Sequence, residues 1–323
     1  MPSTKHHYVP QSHLRRFAAN AAGEMFVYRK GARKNPFLKQ PKGQGFGRDL
    51  YSVKTPDGGH DSGIEDSYLA RIDDFGAKAC SRLPAGDLEA DAAAFALYLA
   101  SLTLRNPQAI EVTGKIGDAL GAEVYRRLYF NDAEFRKNLR ASVESDEEFE
   151  RMMEACHPDH TKITANRKIA MLQQMDLHER VAVGFLDGSL SVMVAEGDHE
   201  FILSDDPVFA CIPTMDGVAP VGLGVPGVEV TMPISPKLCL MAVPSGTSEI
   251  RRIGADERTV SEVNLRSAFS ARERFFAASS RPELLKLVER FPERSRPVTI
   301  EKVPNIFAFW CPLDHSLFSP ISH

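Results

Sequence analysis

Three parts of this chain hold most of the side chains whose types and spacing suit chemistry. The first is KHHYVPQSHLRRF, residues 5–17, with three histidines and three basic side chains around Pro10. Successive side chains of an extended segment point to opposite faces, so His6 and His7 diverge and at most one enters a given cleft. That histidine would serve as a general base or a metal ligand. Pro10 fixes φ and suits the first turn of a helix running through Leu14 and Phe17. Burying those two leaves Arg15 and Arg16 to hold an anionic group. The alternative is a latch, with the histidines bonded to backbone carbonyls. The second part is FILSDDPV, residues 201–208. A strand ending at Ser204 leaves Asp205 and Asp206 at its carboxyl edge, with Asp206 held extended by Pro207. Carboxylates so placed carry Mg²⁺ or act as general bases; they also close Asx turns with no chemistry. The third part is helical. Glu65 and Asp73, eight residues apart, fall close to one helix face and could complete a metal site or pair with basic residues. Arg105, ending an alanine-rich helix, could contact an anion or simply favour the negative end of the helix dipole.

The elements that must position these residues follow from pattern. MFVYRK (25–30) alternates before Gly31 and reads as a strand; DLYSVK (49–54) reads as a second. From Ile64 a helical stripe runs through Leu69, Ile72, Phe75, Ala79 and Leu83. Asp87 caps the next helix, where Leu88, Ala92, Phe95, Leu99 and Leu102 recur at 4-3-4-3 spacing. Asn106-Pro107 breaks it. Further helices are expected at about 107–130, 132–142, 145–156 and 162–184. Beyond residue 185, SLSVMVAEG, HEFILS, VEVTMPIS and KLCLMAVP are short apolar runs of strand type. A long helix at about 256–274, a short strand FFAAS and a closing helix ELLKLVERF end the pattern. Strands, helices, strands and helix in that order make an α+β fold, with the N-terminal strands joining those of about 190–245 and a helical layer from 62–184. We read one domain over 1–323, its sheet-rich part at about 1–60 and 185–300.

Composition bounds the function. The 323 residues carry a net charge of −4, yet residues 1–50 hold ten Lys or Arg against two acids, a local balance of +8. A basic segment on an acidic body suits nucleic acid or another phosphate-bearing ligand. The five cysteines have no CxxC pairing, which reads as reduced thiols in a cytoplasmic protein. The apolar run Leu88–Leu104 contains Glu89 and Asp91 and reads as a buried helix, not a membrane span. There is no GxxxxGK[ST] or GxSxG motif; GLGVPG, residues 222–227, has GxGxxG spacing but lies outside any βαβ alternation of the kind a dinucleotide fold needs.

KHHYVPQSHLRRF, DLYSV, GIEDSYLARID, LRNP, FILSDDPV, PISPKLCL and VNLRSAFSARERFF occur in an order that resembles the DUF4238 family, over about residues 5–280. The resemblance implies a family-wide fold and candidate positions but no reaction. In that pattern Ser12-His13 replaces a bulky pair, and Asp206 stands where Asn is expected. Two functional readings remain. One is a metal-dependent phosphodiester hydrolase of nuclease type. It would use His6, His7 and Asp205 for catalysis, Glu65, Asp205 and Asp206 for a divalent Mg or Mn ion, and Arg15, Arg16 and Arg105 for phosphate. The other is a non-catalytic module binding nucleic acid or protein, its motif residues forming a structural polar network.

Overall fold

The computed structural model describes residues 5–292 apart from 33–35, 49, 55–59, 62, 85–87, 159, 162–166, 215–216 and 245–248. They fall into two units, one from residues 1–109 and 174–296 and one containing residues 110–173.

The first unit opens with β1 (Lys5–His7), α1 (Gln11–Leu14), β2 (Met25–Arg29), β3 (Phe37–Lys39), β4 (Phe46–Arg48), β5 (Val53–Lys54) and β6 (His60–Asp61). A wide helical turn, Ile64–Leu69, leads into α2 (Ala70–Arg82), followed by α3 (Ala92–Leu104). The second unit holds α4 (Pro107–Val124, begun in the first), α5 (Ala133–Ala141) and α6 (Asp146–Ala155). Asp132 and Ser145 cap α5 and α6 by accepting from Phe135 N–H and Glu148 N–H. The chain returns through α7 (Arg167–Leu186) to β7 (Ser189–Ala195), β8 (Leu203–Ser204), β9 (Phe209–Thr214), β10 (Gly217–Pro220), β11 (Glu229–Ser235), β12 (Leu238–Val243) and β13 (Glu249–Ala255). It ends in α8 (Glu257–Ser270), β14 (Arg274–Ala277) and α9 (Pro282–Arg290).

The fold is α+β. Six strands form one sheet in the order β10-β9-β11-β12-β7-β13, antiparallel except for the β13–β7 pair. Both faces of this sheet are covered, which is why its strands read as near-continuous apolar runs. Leu190, Val192 and Leu240 pack against α2 and α3, while the alternate residues Met193 and Cys239 pack against Val260 and Val263 of α8. Helix α3 is buried nearly all round, as its alanine-rich composition requires.

A second sheet, β3-β2-β14-β8, carries two N-terminal strands, β2 and β3, and reaches one strand of the 190–245 region, β8, through β14; the expected strand of residues 49–54 does not join it, since β5 pairs with β6, and β1 pairs with β4. Its faces divide by the strand period of two. Tyr28 and Phe275 face Ala268 and Leu284; Val27 and Phe276 face Leu14 and Phe17. Leu14 and Phe17 are fully buried there, each stabilising the fold by about 1.5–3 kcal/mol. The opening stretch is thus bolted to the second sheet by its apolar side chains.

Several boundaries differ from expectation. Within residues 49–54 only Val53–Lys54 is a strand, paired with β6, while Phe46–Arg48 pairs with β1. Phe75 is exposed, and the buried face of α2 runs instead through Ile72, Gly76, Ala79 and Cys80. Asp87 lies outside the described residues, and α3 begins at Ala92. The helix expected over 256–274 stops at Ser270. The four described cysteines are free thiols. Among the described residues no helix is long and apolar enough to cross a membrane.

Candidate functional site

Each histidine of the opening stretch has a different task. His6 is buried on β1; its Nδ1 accepts from Tyr51 N–H at 2.8 Å and its ring stacks on Tyr51. His7 lies against Phe46, and Gln11 Nε2 donates to its Nε2 at 3.3 Å; burial lowers its pKa. His13 sits in the core. Its Nε2–H donates to the Pro233 carbonyl at 2.7 Å, which leaves Nδ1 to accept from Tyr98 O–H at 3.0 Å. Burial depresses this imidazole to about 4, so it is a neutral tie between α1, α3 and β11.

The two arginines beyond also diverge. Arg16 donates to the carbonyls of Ala77 and Cys80, both at 3.1 Å, and so ties the turn after α1 to the last turns of α2. Arg15 is exposed and donates to Gln11 Oε1 at 3.2 Å.

Asp205 is buried at the end of β8. Its Oδ1 accepts from Arg272 N–H at 2.6 Å, and its Oδ2 from Glu273 N–H at 3.0 Å and Arg274 N–H at 3.2 Å. This nest turns the chain out of α8 and into β14. Burial raises the carboxyl to about 6 against the opposing pull of those amides. Asp206, next along the same bend, is buried too. Its amide donates to Ser204 Oγ at 2.9 Å and its carbonyl accepts from Ser270 Oγ at 3.0 Å. Glu65 lies on the turn before α2, but its side chain is outside the described residues. Asp73 pairs with Arg105 Nη1 at 2.7 Å, and not with the basic N-terminal segment. Among the described residues no three His, Cys, Asp or Glu side chains group so as to hold a metal ion.

A cleft of about 390 Å³ brings several of these stretches together. Its walls are Tyr8, the loop of Gly43, Gly45 and Gly47, Asp205, and the run Arg272-Glu273-Arg274. The opening stretch contributes Tyr8 to this cleft, and neither histidine; the arginines are Arg272 and Arg274, not Arg15 and Arg16. Gly45 pins the loop. It adopts a φ of +60°, and a Cβ there would lie 2.9 Å from Val9 Cβ, while its carbonyl accepts from Val9 N–H at 3.1 Å. Arg274 is held in place, donating to Gln44 Oε1 at 2.8 Å and meeting Glu273 Oε2 at 3.3 Å. The Arg272 guanidinium is half-buried and makes no hydrogen bond or ion pair among the described residues. Burial and the Asp205 charge raise the pKa of Tyr8 well above its ordinary value, so the wall presents a phenol.

A model of the family described as "Protein of unknown function (DUF4238)" matches residues 5–281. The chain belongs to that family. No match was found among curated proteins or among solved structures. The DUF4238 match takes in every wall of the cleft, from Tyr8 to Arg274. Sequence reasoning named Asp205 but passed over three cleft residues. Tyr8 lies inside the opening motif, and its position directly after His6 and His7 was the available signal. Arg272 and Arg274 lie in RERFF, where two arginines in three residues could have been flagged had the helix not been run through them.

Proposed function

We propose that the cleft binds a phosphate-bearing ligand, a nucleotide or a nucleic-acid strand. The observation that carries this is Arg272, a half-buried guanidinium on the cleft wall with no partner among the described residues. Planar donors of this kind match the oxygens of a phosphate in pairs. Two further features support it. The glycine loop lets backbone approach a ligand closely. Lys42 and Arg48, exposed at either end of that loop, extend the positive field outward. The volume falls at the low end of the roughly 300–1,000 Å³ common for small-molecule sites. A cytoplasmic setting belongs to the same reading, from the unpatterned cysteines.

One observation favours hydrolysis as a second reading. Asp205 faces the cleft beside Tyr8 with its carboxyl raised to about 6, in the range where a general base works near neutral pH. A divalent Mg or Mn ion on Glu65, Asp205 and Asp206, with His6 or His7 assisting, would complete a phosphodiesterase. Against it, both Asp205 oxygens already accept backbone amides.

The test is equilibrium binding of labelled DNA and RNA oligonucleotides, with ATP as competitor, followed by the same panel with Mg²⁺ or Mn²⁺ for cleavage. Arg272→Ala should weaken binding about tenfold or more and lower the salt slope by about one. Arg15→Ala should change affinity less than about twofold. Equal losses in both variants would remove the cleft from the account.

A further inference from the structure

The opening strand carries a surface of its own beside the cleft. β1 and β4 pair antiparallel as a two-stranded ribbon, with Lys5 opposite Arg48, His6 opposite Gly47 and His7 opposite Phe46. Directly opposite side chains share a face, and successive ones alternate between faces. The inner face is therefore His6 and Gly47. His6 is buried against Tyr51, and a Cβ on Gly47 would meet the Leu50 side chain at 3.4 Å. The outer face is Lys5, His7, Phe46 and Arg48, exposed at the two charges and half-buried at the two rings.

The outer face is closely knit. The Phe46 and His7 rings lie 5.9 Å apart, and Lys5 Nζ sits 5.0 Å from the Phe46 centroid. Arg48 makes no hydrogen bond or ion pair among the described residues. Lys5 and Arg48 are like charges directly opposite each other, an arrangement that works against strand pairing and that an anion between them relieves. Phe46 belongs to the cleft as well, sharing its wall with Gly43, Gly45 and Gly47. Lys42, exposed and also without a partner among the described residues, directly precedes Gly43. The outer face thus runs into the cleft at Phe46.

We infer that this face receives single-stranded nucleic acid, one phosphate entering the cleft at Arg272 and the neighbouring nucleotides passing over Phe46 and His7 among Lys5, Arg48 and Lys42. The inference rests on the cleft reading and narrows it to a strand. Two features select that ligand. Arg272 answers one phosphate, whereas the cations of the ribbon and its loop extend beyond the cleft, and a chain of phosphates reaches them in succession. Cations set around aromatic rings also hold single strands in general, the rings stacking bases while the charges follow the backbone. A duplex keeps its bases stacked on each other, and an acidic peptide offers the rings no flat partner.

The experiment is equilibrium binding of the full chain to a labelled 12-nucleotide single strand, the matching duplex, a polyglutamate peptide and ATP. The strand should bind about tenfold or more tighter than the duplex or the peptide. The double variant Lys5→Ala/Arg48→Ala should lower the salt slope for the strand by about 1.4, two phosphate contacts, and weaken the strand at least about fivefold more than ATP. Lys5→Glu should weaken it further; this variant sets opposite charges across the ribbon, which favours pairing, so its loss of binding is not a loss of fold. Phe46→Leu keeps an apolar side chain and removes the ring, and should weaken the strand about tenfold. The inference is overturned if the duplex or the peptide binds as tightly as the strand. It is equally overturned if Arg272→Ala weakens both strand and ATP while the Lys5 and Arg48 variants weaken the strand no more than ATP; the cleft reading then stands without it. If Arg272→Ala changes neither ligand, the cleft reading falls and takes the inference with it.

Discussion

Tyr98 and Arg105 lie two turns apart on α3 and anchor two buried polar clusters with opposite accounts. Around Tyr98 the donors find acceptors: Tyr98 gives to His13, and His13 gives to Pro233. Around Arg105, which pairs with Asp73, three buried atoms (Ser101 Oγ, Arg105 Nη2 and His178 Nδ1) have no hydrogen-bond partner among the described residues. Asp205 belongs with the first kind and Arg272 with the second. The residue types barely differ between the two. What differs is whether the fold itself completes their hydrogen bonds. Satisfied groups hold elements together, and unsatisfied ones leave the fold's own hydrogen bonding incomplete.

The comparison breaks most visibly at Asp205. Asp205→Ala should destabilise the chain by on the order of 3 kcal/mol in equilibrium denaturation, because three amides lose a buried acceptor. A loss under about 1 kcal/mol would show that the nest holds little.

Acid should act next through His13. Its folded pKa of about 4 lies below the ordinary 6.5, so the unfolded chain takes up the proton first. The stability from keeping it neutral is complete above about pH 6.5 and drains as pH falls towards 4, by about 3 kcal/mol in all. His178 has the same sign. Asp205 has the opposite one, its raised carboxyl relieving a cost as pH falls from about 6. The wild-type curve mixes all three, so the clean measure is its difference from His13→Gln between pH 7 and 4. A pH-independent difference would place His13 outside the satisfied class.

Gly76→Ala should cost about 1–3 kcal/mol, since the added methyl must displace the Tyr98 ring between two packed helices. Ser101→Ala, by contrast, should lie within about 0.5 kcal/mol of wild type, or gain stability, because it deletes a buried hydroxyl that has no partner. A large loss there would mean the hydroxyl is satisfied in solution.

Much of the fold was legible because local pattern and burial agree. The stripe of α3 and the apolar runs of β7, β11 and β12 announce elements that pack on every side. Strand β13 was not legible: it reads EIRRIGA, its outer side chains are exposed, and its order comes from parallel pairing with β7. The end of α8 was hidden for a different reason. Residues 271–274 continue a helical pattern, yet the amides of 272–274 donate to the distant carboxylate of Asp205 instead of to the helix. For the site, Asp205 stood out by type and position, while Tyr8 was overshadowed by its histidine neighbours. Sequence spacing shows which polar groups are present; which remain unpaired depends on contacts hundreds of residues apart, such as His13 with Pro233.

The most direct measurement is stability and ligand affinity for Arg272→Ala on one preparation. The account predicts a melting temperature within about 2 °C of wild type, because the guanidinium holds nothing in the fold, together with affinity for a labelled oligonucleotide reduced about tenfold or more. A variant that melts several degrees lower while binding as tightly as wild type would contradict it.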